Sequence, residues 1–138
     1  MDLQVGIKGF IKNSEGKYLI LKRIKPYEGN NEPKWDIPGG RINVGEPIFQ
    51  ALAREIKEEA GLTMKNEPRI LYAQDIFVAD KLHVVRITCE VGVETGEVTL
   101  DTHDQDTGHD DYKWATIEEI KNLYHDIYLD PVLELLSK

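Results

Sequence analysis

Leu3, Val5, Ile7, Gly9 and Ile11 alternate in a strand-like way, and after the turn residues Asn13-Ser14-Glu15-Gly16 comes the buried run Tyr18-Leu19-Ile20-Leu21. The two are predicted to form a hairpin. Pro26 to Lys34 is polar and rich in breakers, so it reads as a loop leading to a short strand, Trp35-Asp36-Ile37, and a Pro38-Gly39-Gly40 turn. Further strands are expected at Ile70-Leu71-Tyr72, at Ile76-Phe77-Val78, over Val85, Ile87, Cys89, Val91 and Val93, and at Tyr112-Lys113-Trp114-Ala115.

Between them the period changes. Pro47 suits a first helical position and Gly61 the left-handed residue past a helix end, so a helix of about four turns is bracketed there. At about 100° per residue, Phe49, Leu52, Ala53, Ile56 and Ala60 make an apolar stripe. Thr116 can cap a second helix carrying Ile117, Ile120 and Leu123, and Asp130-Pro131 opens a third with Val132, Leu133, Leu135 and Leu136. The inventory is a mixed sheet with about three helices, an α/β protein without internal repeats.

Composition adds limits. At 138 residues and 41% hydrophobic, residues 1–138 are expected to be one domain with a single sizeable core. One cysteine, Cys89, excludes an internal disulfide and is expected on a strand facing the core. The start MDLQVGIKGF lacks a signal-peptide pattern, and no stretch approaches the ~18 apolar residues of a membrane helix, so a soluble cytoplasmic protein is expected. A net charge of −8 without a basic stripe disfavours long nucleic acid and stays compatible with a small phosphorylated ligand held through metal.

The bracketed helix carries the chemistry. Glu55, Glu58 and Glu59 fall together beside the apolar stripe, and each like-charge pair at these spacings costs about 0.2–0.5 kcal/mol. The negative end of the helix dipole adds a penalty of ~0.3–1 kcal/mol, only partly offset by Arg54 four residues before Glu58. A cation is therefore expected at the strip, and clustered carboxylate oxygens suit a hard ion, Mg²⁺ or Mn²⁺.

Gly40 to Leu62, GRINVGEPIFQALAREIKEEAGL, resembles the Nudix box of pyrophosphohydrolases that act on nucleoside diphosphates linked to another moiety. Gly40, Glu46, Arg54, Glu55, Ile56, Glu58, Glu59, Gly61 and Leu62 fill its specified positions. Trp35, Pro38 and Gly39 before the box, and His109-Asp110-Asp111-Tyr112-Lys113-Trp114 after it, agree with the same family. The resemblance implies the Nudix α/β/α sandwich and a Mg²⁺-dependent hydrolase that splits a phosphoanhydride of a nucleoside diphosphate-X or nucleoside triphosphate, releasing a nucleoside monophosphate. It also implies metal ligation by Glu55, Glu58 and Glu59 with a carbonyl from the Gly39-Gly40 turn, Glu55 doubling as base in some members, and Arg54 orienting Glu55. Glu46 is expected at the helix start in a structural role.

One position departs from the family. Many relatives carry a glutamate just before the histidine corresponding to His109, where this chain has Gly108. Asp104, Asp106, Asp110 and Asp111 are candidates to replace it, while glycine at the fifth position of Asp104 to Gly108 fails the EF-hand spacing. His103 and His109 are expected at the surface. Lys22, Arg23, Lys25 and Arg41 are candidates to meet phosphates, and Trp35, Tyr27 and Phe77 to stack a base, with the sheet core as the alternative for the aromatics. The expected partner is a small nucleotide-type diphosphate, and a homodimer stays open. A Nudix-fold module that senses nucleotides without cleaving them is the alternative function.

Overall fold

A computed structural model describes residues 1–24, 32–102 and 108–138. Seven strands appear among them, β1 (Asp2–Ile11), β2 (Tyr18–Arg23), β3 (Trp35–Asp36), β4 (Gly39–Arg41), β5 (Met64–Val78), β6 (Leu82–Val93) and β7 (His109–Ala115). Helix α1 (Ile48–Ala60) lies between β4 and β5, while α2 (Ile117–Asn122) and α3 (Asp130–Leu136) follow β7. A mixed sheet has the order β4-β1-β6-β5 and a second sheet the order β3-β2-β7. In the first, β1 runs parallel to β6 from Asp2 opposite Leu82 to Ile11 opposite Val91, and antiparallel to β4.

The pleat sends successive side chains to opposite faces. Ile7, Ile11, Leu19 and Leu21 pack with Leu52 and Ile56 of α1, whereas Phe10, Tyr18 and Ile20 pack with Ile120 of α2 and Val132 and Leu133 of α3. The all-apolar run in β2 thus serves two cores in alternation. Helices cover both faces, giving the expected α/β/α sandwich with a mixed sheet and three α-helices among the described residues.

Several elements differ from their sequence expectation. β1 and β2 are joined by the expected turn, where Gly16 has φ 78°, but beyond the Lys12–Tyr18 bridge they enter different sheets. The two short strands expected near residues 70 and 76 are one, β5, paired with β6 from Met64 to Val78 and shifting register between Lys65 and Arg69 and between Ile70 and Tyr72. Those irregularities broke its periodicity, and Pro68 is tolerated because β5 is an edge strand. The glycine turn is itself a strand, β4. Gly61 ends α1 in the left-handed conformation at φ 69° as expected, while Pro47 stands at the cap before Ile48. Ala51 is fully buried beside Leu52, Ile56 and Ala60, with Ala53 only half-buried. Thr116 and Glu119 close a capping box on α2, and Cys89 is buried.

Candidate active site

The C-terminal half of α1 lies against β4, and two glycines make that approach. At Gly39 φ is 148°, and a Cβ would fall 2.1 Å from the Ile7 carbonyl oxygen, so a side chain is excluded on both counts. At Gly40 a Cβ would lie 2.7 Å from Oε1 of Glu55. Bare backbone therefore lets the Glu55 carboxylate press against the sheet edge. Glu55, Glu58 and Glu59 open with Gly39, Gly40, Arg23 and Arg41 onto one cleft of about 510 Å³, which Asp101, Gly108 and His109 also line.

Arg54 orders the strip from outside the cleft. Its Nε and Nη2 donate to both oxygens of Glu46 at 2.7 and 3.0 Å, and its Nη1 donates to Glu55 at 2.9 Å and Glu58 at 3.3 Å. Nη2 also reaches the Arg41 carbonyl at 3.3 Å. Hydrogen bonds from Arg54 and the Asn43 N–H hold the Glu46 carboxyl down at about 2. Glu46 therefore holds Arg54, and Arg54 holds Glu55. Glu59 accepts the Gly39 N–H at 3.0 Å, and burial pushes its carboxyl up to about 8 against the opposing pull of Lys8.

The three carboxylates present only oxygen donors, the chemistry of a site for Mg²⁺ or Mn²⁺. Among the described residues no three acidic, histidine or cysteine side chains converge as they stand, with Arg54 holding Glu55 and Glu58 and the Gly39 N–H holding Glu59. Glu58 is the most open of the three, 57% exposed against 13% for Glu55. The oxygen-only donor set fits a hard divalent ion.

The other expected site residues divide. Arg23 and Arg41 line the cleft, whereas Lys22 does not, the β2–β7 register shifting between Lys22 and Arg23. Trp35 is corrected from a base-stacking candidate to a core residue: it packs with Leu123 and Leu136 against the second core, while its neighbour Asp36 faces the cleft. Phe77 lies away from the cleft, stacked on His83 at 4.5 Å between centroids. His109 is corrected from surface to buried, since its N–H bonds the Asp101 carbonyl and β7 pairs it with Arg23. Burial, then Lys8, pushes its imidazole down to about 4, so it is neutral at pH 7. Asp110 and Asp111 are exposed and outside the cleft, and Lys25, Tyr27, His103, Asp104 and Asp106 lie outside the described residues.

Sequence reasoning missed two ion pairs on the cleft floor. Lys8 donates to Asp36 at 3.1 Å and to the Ile37 carbonyl at 3.2 Å. Burial opposes ionisation of Asp36, but Lys8, Arg86 and the Ile37 N–H together hold its carboxyl below the usual range. Arg86 of β6 stands 3.7 Å from Asp126. Charged residues inside apolar strands, Lys8 between Ile7 and Gly9 and Arg86 between Val85 and Ile87, were the available signal.

A NUDIX domain model matches residues 2–136. The chain belongs to the Nudix family. It is 26% identical to Nudix hydrolase 5 of Arabidopsis thaliana over 136 residues, covering 97% of this chain and 43% of that protein. Phosphatase NudJ of Escherichia coli K12 is 27% identical over 110 residues, covering 80% and 67%. The chain thus spans less than half the length of the Arabidopsis protein. Among solved structures, the MutT protein of Methanosarcina mazei Go1 superposes with a TM-score of 0.79 at 27% identity, over 98% of this chain and 93% of that one. No helix among the described residues is long and apolar enough to cross a membrane.

Proposed function

We propose that this Nudix chain is a divalent-metal-dependent hydrolase of a phosphoanhydride bond in nucleoside diphosphate-X or nucleoside triphosphate substrates, releasing a nucleoside monophosphate. The observation that carries the reading is the opening of Glu55, Glu58 and Glu59 onto the same cleft as the Gly39-Gly40 edge and two arginines. A phosphoanhydride repels nucleophiles through its own oxygens, and Mg²⁺ or Mn²⁺, when bound, supplies charge neutralisation and a more acidic water. Glu55, Glu58, Glu59 and the backbone at Gly39 would hold that ion. Arg23 and Arg41 offer charge to the phosphates, and Arg54 keeps Glu55 aimed at the sheet edge. We assign to Glu55 the proton of the attacking water, because it lines the cleft and Arg54 holds its carboxylate at 2.9 Å.

The test is turnover of a nucleotide panel with Mg²⁺ in ¹⁸O-labelled water, products being identified by mass. Nucleoside monophosphate should appear, with pyrophosphate from a triphosphate or a phosphorylated remainder from an X-linked substrate. Labelled orthophosphate released first from the γ position would overturn the bond assignment. Binding across the panel without turnover would favour a nucleotide sensor.

A further inference from the structure

On the cleft floor the strand register sets Arg41, Gly6, Arg86 and Gln74 in one row across four strands. Residues two apart on a strand share a face, so Gln4, Gly6 and Lys8 of β1 and Val84 and Arg86 of β6 all line the cleft. In the middle of this floor, Gly6 leaves the strand bare. A Cβ there would meet only ordinary contacts, 3.7 Å from the Gly40 carbonyl oxygen and 3.8 Å from Val84 Cγ1, so neither backbone nor packing demands glycine. What the missing side chain provides is open, flat space in the cleft.

Arg86 borders that space and is braced from behind. Its Nη1 lies 3.7 Å from Asp126, and its guanidinium carbon stands 5.5 Å from the centroid of the Tyr128 ring. Tyr128 is held in turn, its N–H donating to Asp126 at 2.9 Å and its carbonyl accepting from Gln74 at 2.9 Å. Nη1 is buried with no hydrogen-bond acceptor, while the residue lines the cleft. Two strand spacings put Arg86 about 10 Å from Arg41, on the side away from Glu55. Phosphates held by the carboxylate strip would lie at the β4 side, where Arg41 and Gly39 line the cleft. A flat floor with a valine beside it, flanked by the Gln4 amide and a guanidinium, suits an uncharged planar ring instead.

We propose that Arg86 is the specificity-determining residue for the nucleobase, reading the carbonyl edge of a guanine-type base that lies over Gly6. The assignment rests on the preceding reading in that the substrate carries a nucleotide. Arginine has only donors to offer and pairs bidentately with guanine O6 and N7, whereas adenine turns an amino donor toward it.

Calorimetric titration in Mg²⁺ with GMP, AMP and ribose 5-phosphate tests this on the wild type, Arg86→Gln and Gly6→Val. GMP should bind the wild type at least about tenfold more tightly than either of the others. Both variants should bring GMP to the level of ribose 5-phosphate. Gly6→Val should keep the wild-type melting temperature, since a β-branched residue suits a strand and its Cβ meets only ordinary contacts there. Three outcomes overturn the assignment: no GMP preference in the wild type, equal weakening of GMP and ribose 5-phosphate in Arg86→Gln, or a lower melting temperature with the preference intact. The last would make Arg86 only a counter-ion to Asp126. A GMP preference without hydrolysis of any nucleotide would sink the hydrolase reading and leave the base subsite standing, while hydrolysis without the preference would do the reverse.

Discussion

Glu59 and Glu58 are neighbours with different surroundings, one enclosed against Gly39 and the other mostly in solvent. Glutamine at Glu58 removes a like charge from the strip, worth about 0.2–0.5 kcal/mol per pair, whereas at Glu59 it replaces a carboxyl that burial already holds mostly protonated, pushed up to about 8. Glu58→Gln and Glu59→Gln should therefore melt at or above the wild-type temperature in chelator, yet lose about 100-fold or more in Mg²⁺-dependent turnover. Near wild-type rates at saturating Mg²⁺ would remove both from the ligand set. His109 sets a separate pH dependence. Its folded pKa of about 4 lies below the ordinary 6.5, so its contribution to stability is complete above 6.5 and is lost as pH falls toward 4. Urea midpoints measured at about pH 7 and about pH 5 should draw closer together in His109→Gln than in the wild type, and an unchanged gap would assign the acid sensitivity to other groups.

At the scale of elements, α1 and the segment before it act as one clamp. Glu46 precedes the helix, Arg54 sits two turns in, and their two-pronged contact ties the entry loop to the strip through Glu55 and Glu58. Glu46→Gln keeps the shape but gives up the charge-assisted pairing. It should raise the Mg²⁺ concentration for half-maximal rate and lower turnover by about 10–100-fold, as loss of a partner that orients metal ligands does. The helix itself should persist, because its stripe of Leu52, Ile56 and Ala60 stays in the core. Unchanged Mg²⁺ dependence, with wild-type helical circular dichroism, would reduce Glu46 to a structural contact.

For the whole molecule, an ion held as proposed by Glu55, Glu58 and Glu59 would depend on α1 and β4 being folded together, and so would bind only the folded chain. Mass action then raises stability by about 2.7 kcal/mol at 100 times the dissociation constant. For a domain of this size that corresponds to a rise of roughly 5–10 °C in melting temperature. Thermal scans in Mg²⁺ and in chelator should differ by that amount for the wild type and coincide for Glu59→Gln. A Mg²⁺ shift that survives in Glu59→Gln would place the ion elsewhere.

The parts of this molecule legible in the sequence are those with local causes. Pro47 and Gly61 bracket α1, the spacing of Glu55, Glu58 and Glu59 places three carboxylates on one flank, and Thr116 announces the start of α2, because caps and helical faces depend on residues close along the chain. What the sequence left open was decided by partners far along the chain. The parallel pairing of β1 with β6 joins Asp2 to Leu82 and puts Arg86 beside Gly6. The separation of β1 and β2 into two sheets turns Lys8 onto Asp36, and the register of β7 on β2 buries His109. Alternation along a strand states which residues share a face but not which face, nor which strand lies next to it. The carboxylate strip is therefore a property of one helix, while the cleft it opens onto, with its paired charges and bare glycine floor, exists only once distant strands have met.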